Sequence, residues 1–251
     1  MRHHSTITMR GFTLTELAVV MAIVAFLLGG LLYTLTAQTD QRNFEETRRR
    51  LDQARDLVIA FAIVNGRLPC PASATSSGDE SPAGGAAACT NYYDGFLPAK
   101  AIGYQQVDSS GYAIDAWGNR IRFAVARLTT PSSSNNHFTN ATALKTNGIS
   151  YQPNDLLICY SATGITGTTC GGAANQVMST SLVAAIIFST GKNGATAGTG
   201  ADEAANLNGD RIFVSHPPTP STASNGEFDD QMTWITVGEL YNKLIAAGVL
   251  P

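Results

Sequence analysis

The chain has 251 residues, 44% of them hydrophobic and only 14% charged, with sixteen Lys and Arg against nineteen Asp and Glu. That composition permits a packed core and excludes wholesale disorder. The net charge of -3 leaves the whole chain without electrostatic drive toward nucleic acid, so no nucleic-acid partner is expected by charge. The first predicted element is a run of 19 uncharged residues from Leu17 to Leu35, LAVVMAIVAFLLGGLLYTL. As a helix it is about 28 Å long, close to the roughly 30 Å hydrocarbon core of a bilayer. A secretory signal has a shorter apolar region, about 7–15 residues, followed by a small-residue cleavage site, and no strict Ala-x-Ala follows here. A buried core helix rarely starts so near a terminus. The run therefore reads as a membrane anchor. Arg2 and Arg10 precede it, which predicts a cytoplasmic N-terminus with the bulk of the chain outside. Glu16 abuts the run, where a carboxylate at membrane depth costs about 2.5–3.5 kcal/mol. Either it rests at the interface, near a helix N-terminus whose dipole favours an anion, or it needs a cation that no residue from 17 to 35 supplies.

The segment Gly11-Phe12-Thr13-Leu14-Thr15-Glu16-Leu17, after a short basic leader and before the apolar run, resembles the type III signal of type IV prepilins and pseudopilins. The resemblance implies cleavage by a prepilin peptidase between Gly11 and Phe12, and N-methylation of Phe12. It also implies that Glu16, the fifth mature residue, pairs its carboxylate with the N-terminal amine of a neighbouring subunit. That supplies the missing cation between chains. Many type IV pilins carry a proline in the membrane half of this helix; here none interrupts it, and Gly29-Gly30 is the one weak point.

After Asp40 the positions Phe44, Leu51, Ala54, Val58 and Phe61 recur at helical spacing, so the helix is expected to continue to Asn65 as an amphipathic half. Arg48-Arg49-Arg50 is flanked by acids and reads as a solvated face. Gly66 is a candidate C′ residue, and Pro69 forbids continuation. Beyond Pro69 the texture turns to Gly, Ser, Ala, Thr and Asn with short apolar runs. Thr75 to Ala88 reads as a low-complexity mobile surface loop. Predicted strands are Ile121–Leu128, Asp155–Tyr160, Leu182–Ser189, Arg211–Ser215 and Met232–Ile235. Thr236-Val237-Gly238-Glu239 reads as a capping box opening a last helix, with Leu240 and Leu244 on one face and Gly248 at its end.

The cysteines, Cys70, Cys89, Cys159 and Cys170, all follow the anchor, on the side where disulfides persist. Their spacing is too wide for a zinc site. Of three connectivities, the sequential one closes the two shortest loops, so Cys70–Cys89 and Cys159–Cys170 are the expected bridges. Asp115-Ala116-Trp117-Gly118-Asn119, before the strand IRFAV, resembles the D-x-W-G-N segment of major pseudopilins from type II secretion systems. Trp117 anchors the segment, Gly118-Asn119 makes the turn, and no chemistry is assigned to it. The segment FSTGKNG with the later acids is similar to the acidic loop that binds calcium in those pseudopilins. On that resemblance Asp202, Asp210, Asp229 and Asp230 are candidate calcium ligands; the competing reading is turn-forming residues at the surface. The pattern is no EF-hand, because setting Gly209 at the loop glycine puts Ala204 and Ser215 at ligand positions.

No catalytic site is expected. His137 and His216 belong to no nucleophile or metal motif, and Gly191-Lys192-Asn193-Gly194 lacks the spacing of a phosphate-binding loop. The expected fold is α+β: a long N-terminal helix packed on an antiparallel sheet, with a short C-terminal helix. The expected organisation is a leader at 1–11, a transmembrane and filament-core helix at 12–39, an amphipathic half at 40–66, and a periplasmic head at 67–251. The expected function is a non-enzymatic filament subunit, a minor type IV pilin anchored in the inner membrane before assembly. Its partners are other pilin or pseudopilin subunits, the prepilin peptidase and inner-membrane lipid; DNA uptake by an assembled filament is compatible with this reading. Two alternatives are a type II secretion pseudopilin and a single-pass periplasmic binding domain that never polymerises.

Overall fold

The structure, a computed structural model, describes residues 13–85, 88–129, 135–194 and 200–251, with side chains for all of these except residues 28–36. Gly11 and Phe12 therefore lie outside the described residues. The chain divides into two units, Met1–Arg42 and Asn43–Pro251. One helix, α1 (Leu14–Asn65), contributes to both. In the first unit Leu14, Leu17, Met21, Ile23, Phe26 and Leu27 are exposed. Among the described residues no helix is long and apolar enough to cross a membrane. The second half of the uncharged run falls on residues 28–36, whose side chains are not described.

In the second unit the same helix behaves oppositely. Leu51, Ala54, Val58, Ile59 and Ala62 are buried, at the 3–4 residue spacing that puts them on one face. α1 ends where Gly66 adopts φ +68° and its N–H returns to the Ala62 carbonyl. The left-handed backbone there costs glycine nothing and would strain another residue.

The main sheet has the order β1-β2-β5-β7, formed by β1 (Gly95–Phe96), β2 (Arg122–Val125), β5 (Val183–Ser189) and β7 (Gln231–Thr236), every pair antiparallel. β5 is buried along its whole length, which explains why VAAIIFS does not alternate: both faces are covered. A second sheet, order β4-β3-β6, is built from β3 (Leu157–Cys159), β4 (Gln176–Met178) and β6 (Ile212–Val214). There β3 and β4 are antiparallel, but β3 and β6 run parallel, a pairing that the sequence does not announce. Phe213 of β6 meets Phe188 of β5 edge-on at 5.7 Å, which joins the two sheets in one core. Helix α2 (Ala99–Ile102) follows β1, α3 (Ala141–Asn147) precedes β3, and α4 (Ala201–Leu207) leads into β6. The last helix, α5 (Val237–Ala246), is capped by Thr236, whose side chain accepts from the Glu239 N–H. Leu240 and Leu244 are buried, while the Glu239 carboxylate pairs with Arg55 of α1.

Two disulfides close the sequential pairs, Cys70–Cys89 and Cys159–Cys170, with Cα separations of 5.4 and 5.5 Å. Loops of this size are worth about 3 kcal/mol of constraint on the unfolded chain. The first bridge encloses the segment read above as mobile, and the structure corrects that reading. Glu80 is buried and accepts from both terminal nitrogens of Arg67 (2.8 and 2.6 Å), from Cys70 N (3.1 Å) and from Gly84 N (3.1 Å). Tyr112 donates to the Ser73 carbonyl and accepts from Ser77 N. Residues 86–87 lie outside the described ones; the rest of the loop is pinned.

Candidate functional site

The N-terminal signal begins, in the described residues, at Thr13. Thr13 Oγ1 accepts from Glu16 N (3.3 Å), and Glu16 Oε2 accepts from Thr13 N (2.9 Å) and Thr13 Oγ1 (2.8 Å). This is a reciprocal capping box on α1, with Thr13 as N-cap and Glu16 at the third helical position. The pattern Thr-x-x-Glu was visible in the sequence as a helix start, although the reading above used Glu16 only for its charge. The box holds the carboxylate at the first turn of α1. Both contacts use Oε2, which leaves Oε1 for a further partner.

The D-x-W-G-N loop works as a clamp in the second unit. Asp115 is buried; its Oδ1 accepts from Trp117 N (2.9 Å) and Asn119 N (2.8 Å), and its Oδ2 from Ser189 Oγ of β5 (2.6 Å). Burial pushes the Asp115 carboxyl upward, and these donors pull it back only in part. The Asp115 carbonyl accepts from Arg50 of α1 (2.7 Å), Ala116 N donates to Thr47 Oγ1 (3.1 Å), and Phe44 meets the Trp117 ring edge-on at 5.0 Å. Asn119 Nδ2 then donates to the Gly191 carbonyl (2.7 Å). The loop thus ties the amphipathic half of α1 to the central strand and to the turn after it.

That turn leads to the acids. Glu203, Asp229 and Asp230 are all buried, each with a carboxylate oxygen within 4.8 Å of the others. Asp229 Oδ2 accepts from Lys192 N (2.9 Å) and Asn193 N (3.2 Å); Glu203 Oε1 accepts from Asn193 Nδ2 (2.9 Å) and Asp229 N (3.1 Å); Asp230 Oδ2 accepts from Asn206 Nδ2 (2.7 Å). Asp229 Oδ1 is buried with no hydrogen-bond partner. Gly191, at φ +64°, allows this packing, since a Cβ there would stand 2.0 Å from Asp229 Oδ1. Burial, reinforced by the neighbouring carboxylates, raises Asp229 to about 6 and Asp230 to about 8. Three buried acids sharing one space, one oxygen orphaned, form a donor set that suits a hard cation.

The structure divides the four acids singled out in the sequence. Asp229 and Asp230 enter the cluster with Glu203; Asp202 and Asp210 do not. Residues 200–210 were read as a loop, but 201–207 form α4, and adjacent helical residues point about 100° apart. Glu203 and Asn206 share the face toward Asp229 and Asp230, while Asp202 turns to the opposite network. There it accepts from Ala162 N (2.5 Å), Asn225 Nδ2 (3.0 Å) and Ser161 Oγ (3.2 Å), and faces His216 Nε2 at 3.1 Å. Asp210 is an exposed turn residue whose Oδ1 accepts from Ile212 N (2.7 Å). The other described histidine, His137, is buried in the core, with Nε2 3.3 Å from the Tyr241 hydroxyl; burial pushes it down to about 4.

Among known proteins, no curated sequence and no solved structure matches the chain. Residues 8–32 match the family model of the prokaryotic N-terminal methylation motif. The matched span contains the Gly11–Phe12 junction, the capping box and all but the last three residues of the apolar run. It implies processing by prepilin peptidase and anchoring in the inner membrane through the N-terminal segment. Over these residues the chain is similar to the cleavage and methylation signal of type IV prepilins and pseudopilins.

Proposed function

We propose that the chain is a structural subunit of a type IV pilus-like filament, a minor pilin rather than a shaft subunit, with a periplasmic head from residue 67 onward. The resemblance of its N-terminal signal to that of pilins and pseudopilins supports a structural protein rather than an enzyme. The methylation motif with Glu16 at the fifth position after the junction carries the reading. In it, the mature Phe12 amine of one subunit pairs with the Glu16 carboxylate of another, and the exposed apolar side chains of the first unit pack against neighbours. Removing one partner of a buried ion pair costs about 3–5 kcal/mol. Glu16→Ala is therefore expected to insert in the membrane and be cleaved, yet fail to enter filaments. Incorporation of that variant at wild-type level overturns the proposal. The D-x-W-G-N clamp favours a second reading, a pseudopilin of a type II secretion system, in which the same variant is retained in the membrane and secretion stops.

We further propose that Glu203, Asp229 and Asp230 hold one calcium ion, with carbonyl oxygens completing the six to eight it takes. The orphaned Asp229 Oδ1 is the observation that favours it. A cation there stabilises the folded form by about 2.7 kcal/mol at a hundredfold excess over its dissociation constant. The detergent-solubilised full chain should melt higher with calcium than with chelator, and the gain should shrink as pH falls, because protons on Asp229 and Asp230 compete. Equal midpoints, with no calcium found by elemental analysis, contradict the site.

A further inference from the structure

The four sheet edges are not closed alike. β1 is covered by Ala72, which exchanges backbone hydrogen bonds with Phe96 (2.8 and 2.9 Å). β6 is closed by Asn206, whose side chain both donates to Val214 O (3.0 Å) and accepts from Val214 N (2.7 Å). β4 is only three residues long. β7 is different: it is six residues long and half-exposed, and among the described residues no strand lies on its outer side. Its Trp234 carbonyl turns outward to accept from Arg55 Nε (3.1 Å). Strand alternation then turns the Met232 N–H and carbonyl the same way. Unpaired edges of this kind are templates for another chain.

A groove follows this edge between β7 and α1. It consists of two clefts, about 340 and 250 Å³, that share Asp52, Met232 and Thr233. Phe44 and Leu51 give the larger cleft an apolar floor, and Gln231 Nε2 is buried in it without an acceptor. Arg48 and Asp52 line the helix side, both exposed, and among the described residues neither has an ion-pair partner. Arg55 is already paired with Glu239, His216 faces Asp202, and Asp230 is bonded to Asn206. Arg48 and Asp52 are thus the groove's open charges, four residues and about 6 Å apart along the helix. Side chains on one face of a strand repeat every two residues, about 6.7 Å.

We propose that this groove binds an extended polypeptide segment of another protein, which pairs with β7 at Met232 and presents an acidic and a basic side chain two residues apart to Arg48 and Asp52. Backbone pairing supplies affinity and the two charges supply register. A second copy of this chain does not fit, because acid and base two residues apart occur in it only within α1, at Asp40/Arg42, Glu46/Arg48 and Arg50/Asp52. The inference stands independently of the filament reading.

Fluorescence anisotropy of the detergent-solubilised full chain tests it with three labelled peptides: TVEVKVTV, TVKVEVTV, and TVVEKVTV as a control that splits the charges between faces. The wild type should bind one of the first two at least tenfold more tightly than the other two peptides. The double variant Arg48→Asp/Asp52→Arg changes only exposed helix positions, so its core is retained, and it should reverse the preference. Equal affinity for all three peptides, no saturable binding, or an unreversed preference in the double variant overturns the proposal.

Discussion

α1 is one uninterrupted helix with two opposite uses of apolar residues. From Leu14 to Leu27 its large side chains are exposed, whereas from Leu51 to Ala62 the apolar stripe is buried in the head's own core. The charges differ as well. Glu16 is the one acid of the first stretch and, among the described residues, bonds to its own first turn, while Arg50 and Arg55 reach carbonyls of the head. The lesson is that helical propensity is shared along α1, and what differs is whether this chain supplies the covering surface. The second half is satisfied internally. In the first half the described large apolar side chains are exposed.

Substitutions along the helix should expose that contrast. Leu51→Ala removes a buried side chain and leaves a cavity, so the head should lose about 2–5 kcal/mol in chemical denaturation of the solubilised chain. Leu17 is exposed, so Leu17→Ala should leave the same unfolding midpoint within about 0.5 kcal/mol. Comparable losses from both substitutions would erase the distinction.

A smaller effect sharpens the comparison by pH, because the buried titratable groups belong to the second unit. His137 is held neutral, with its pKa at about 4 against an ordinary value of 6.5. Between those values the unfolded chain binds the extra proton, so the stability that neutral His137 contributes is complete above 6.5 and is lost as pH falls toward 4. Asp229 and Asp230 act in the opposite sense. Raised to about 6 and about 8, they contribute stability at low pH that disappears as pH rises through those values in the absence of a cation. His137→Phe should therefore flatten the acid-side fall in melting temperature without altering the alkaline side. An identical acid slope in the variant would remove His137 from the account.

Much of the fold was legible because its signals are local. All five strands predicted from apolar runs are present, with ends that differ by at most three residues, and the Thr236–Glu239 cap opens the last helix. What escaped depends on partners distant in sequence. The parallel pairing of β3 with β6 joins residues more than fifty apart, and nothing in either strand specifies direction. The segment from Thr75 looked mobile by composition, yet a single buried Glu80 with Arg67 fixes it. α4 is only seven residues long, too short for a helical periodicity to show in the sequence, and its turn separates Glu203 from its neighbour Asp202. In the N-terminal signal the residues were plain and the capping geometry was overlooked, although Thr13-x-x-Glu16 states it.

The central claim is that the chain is a prepilin cut between Gly11 and Phe12 and methylated on the new N-terminus. Intact-mass measurement of the membrane-extracted protein tests it most directly. The account predicts a mass lower than the full chain by residues 1–11 and two disulfide hydrogen pairs, and higher by one methyl group, with sequence beginning at Phe12. A species that retains Met1–Gly11, or one cut within the apolar run, would contradict it.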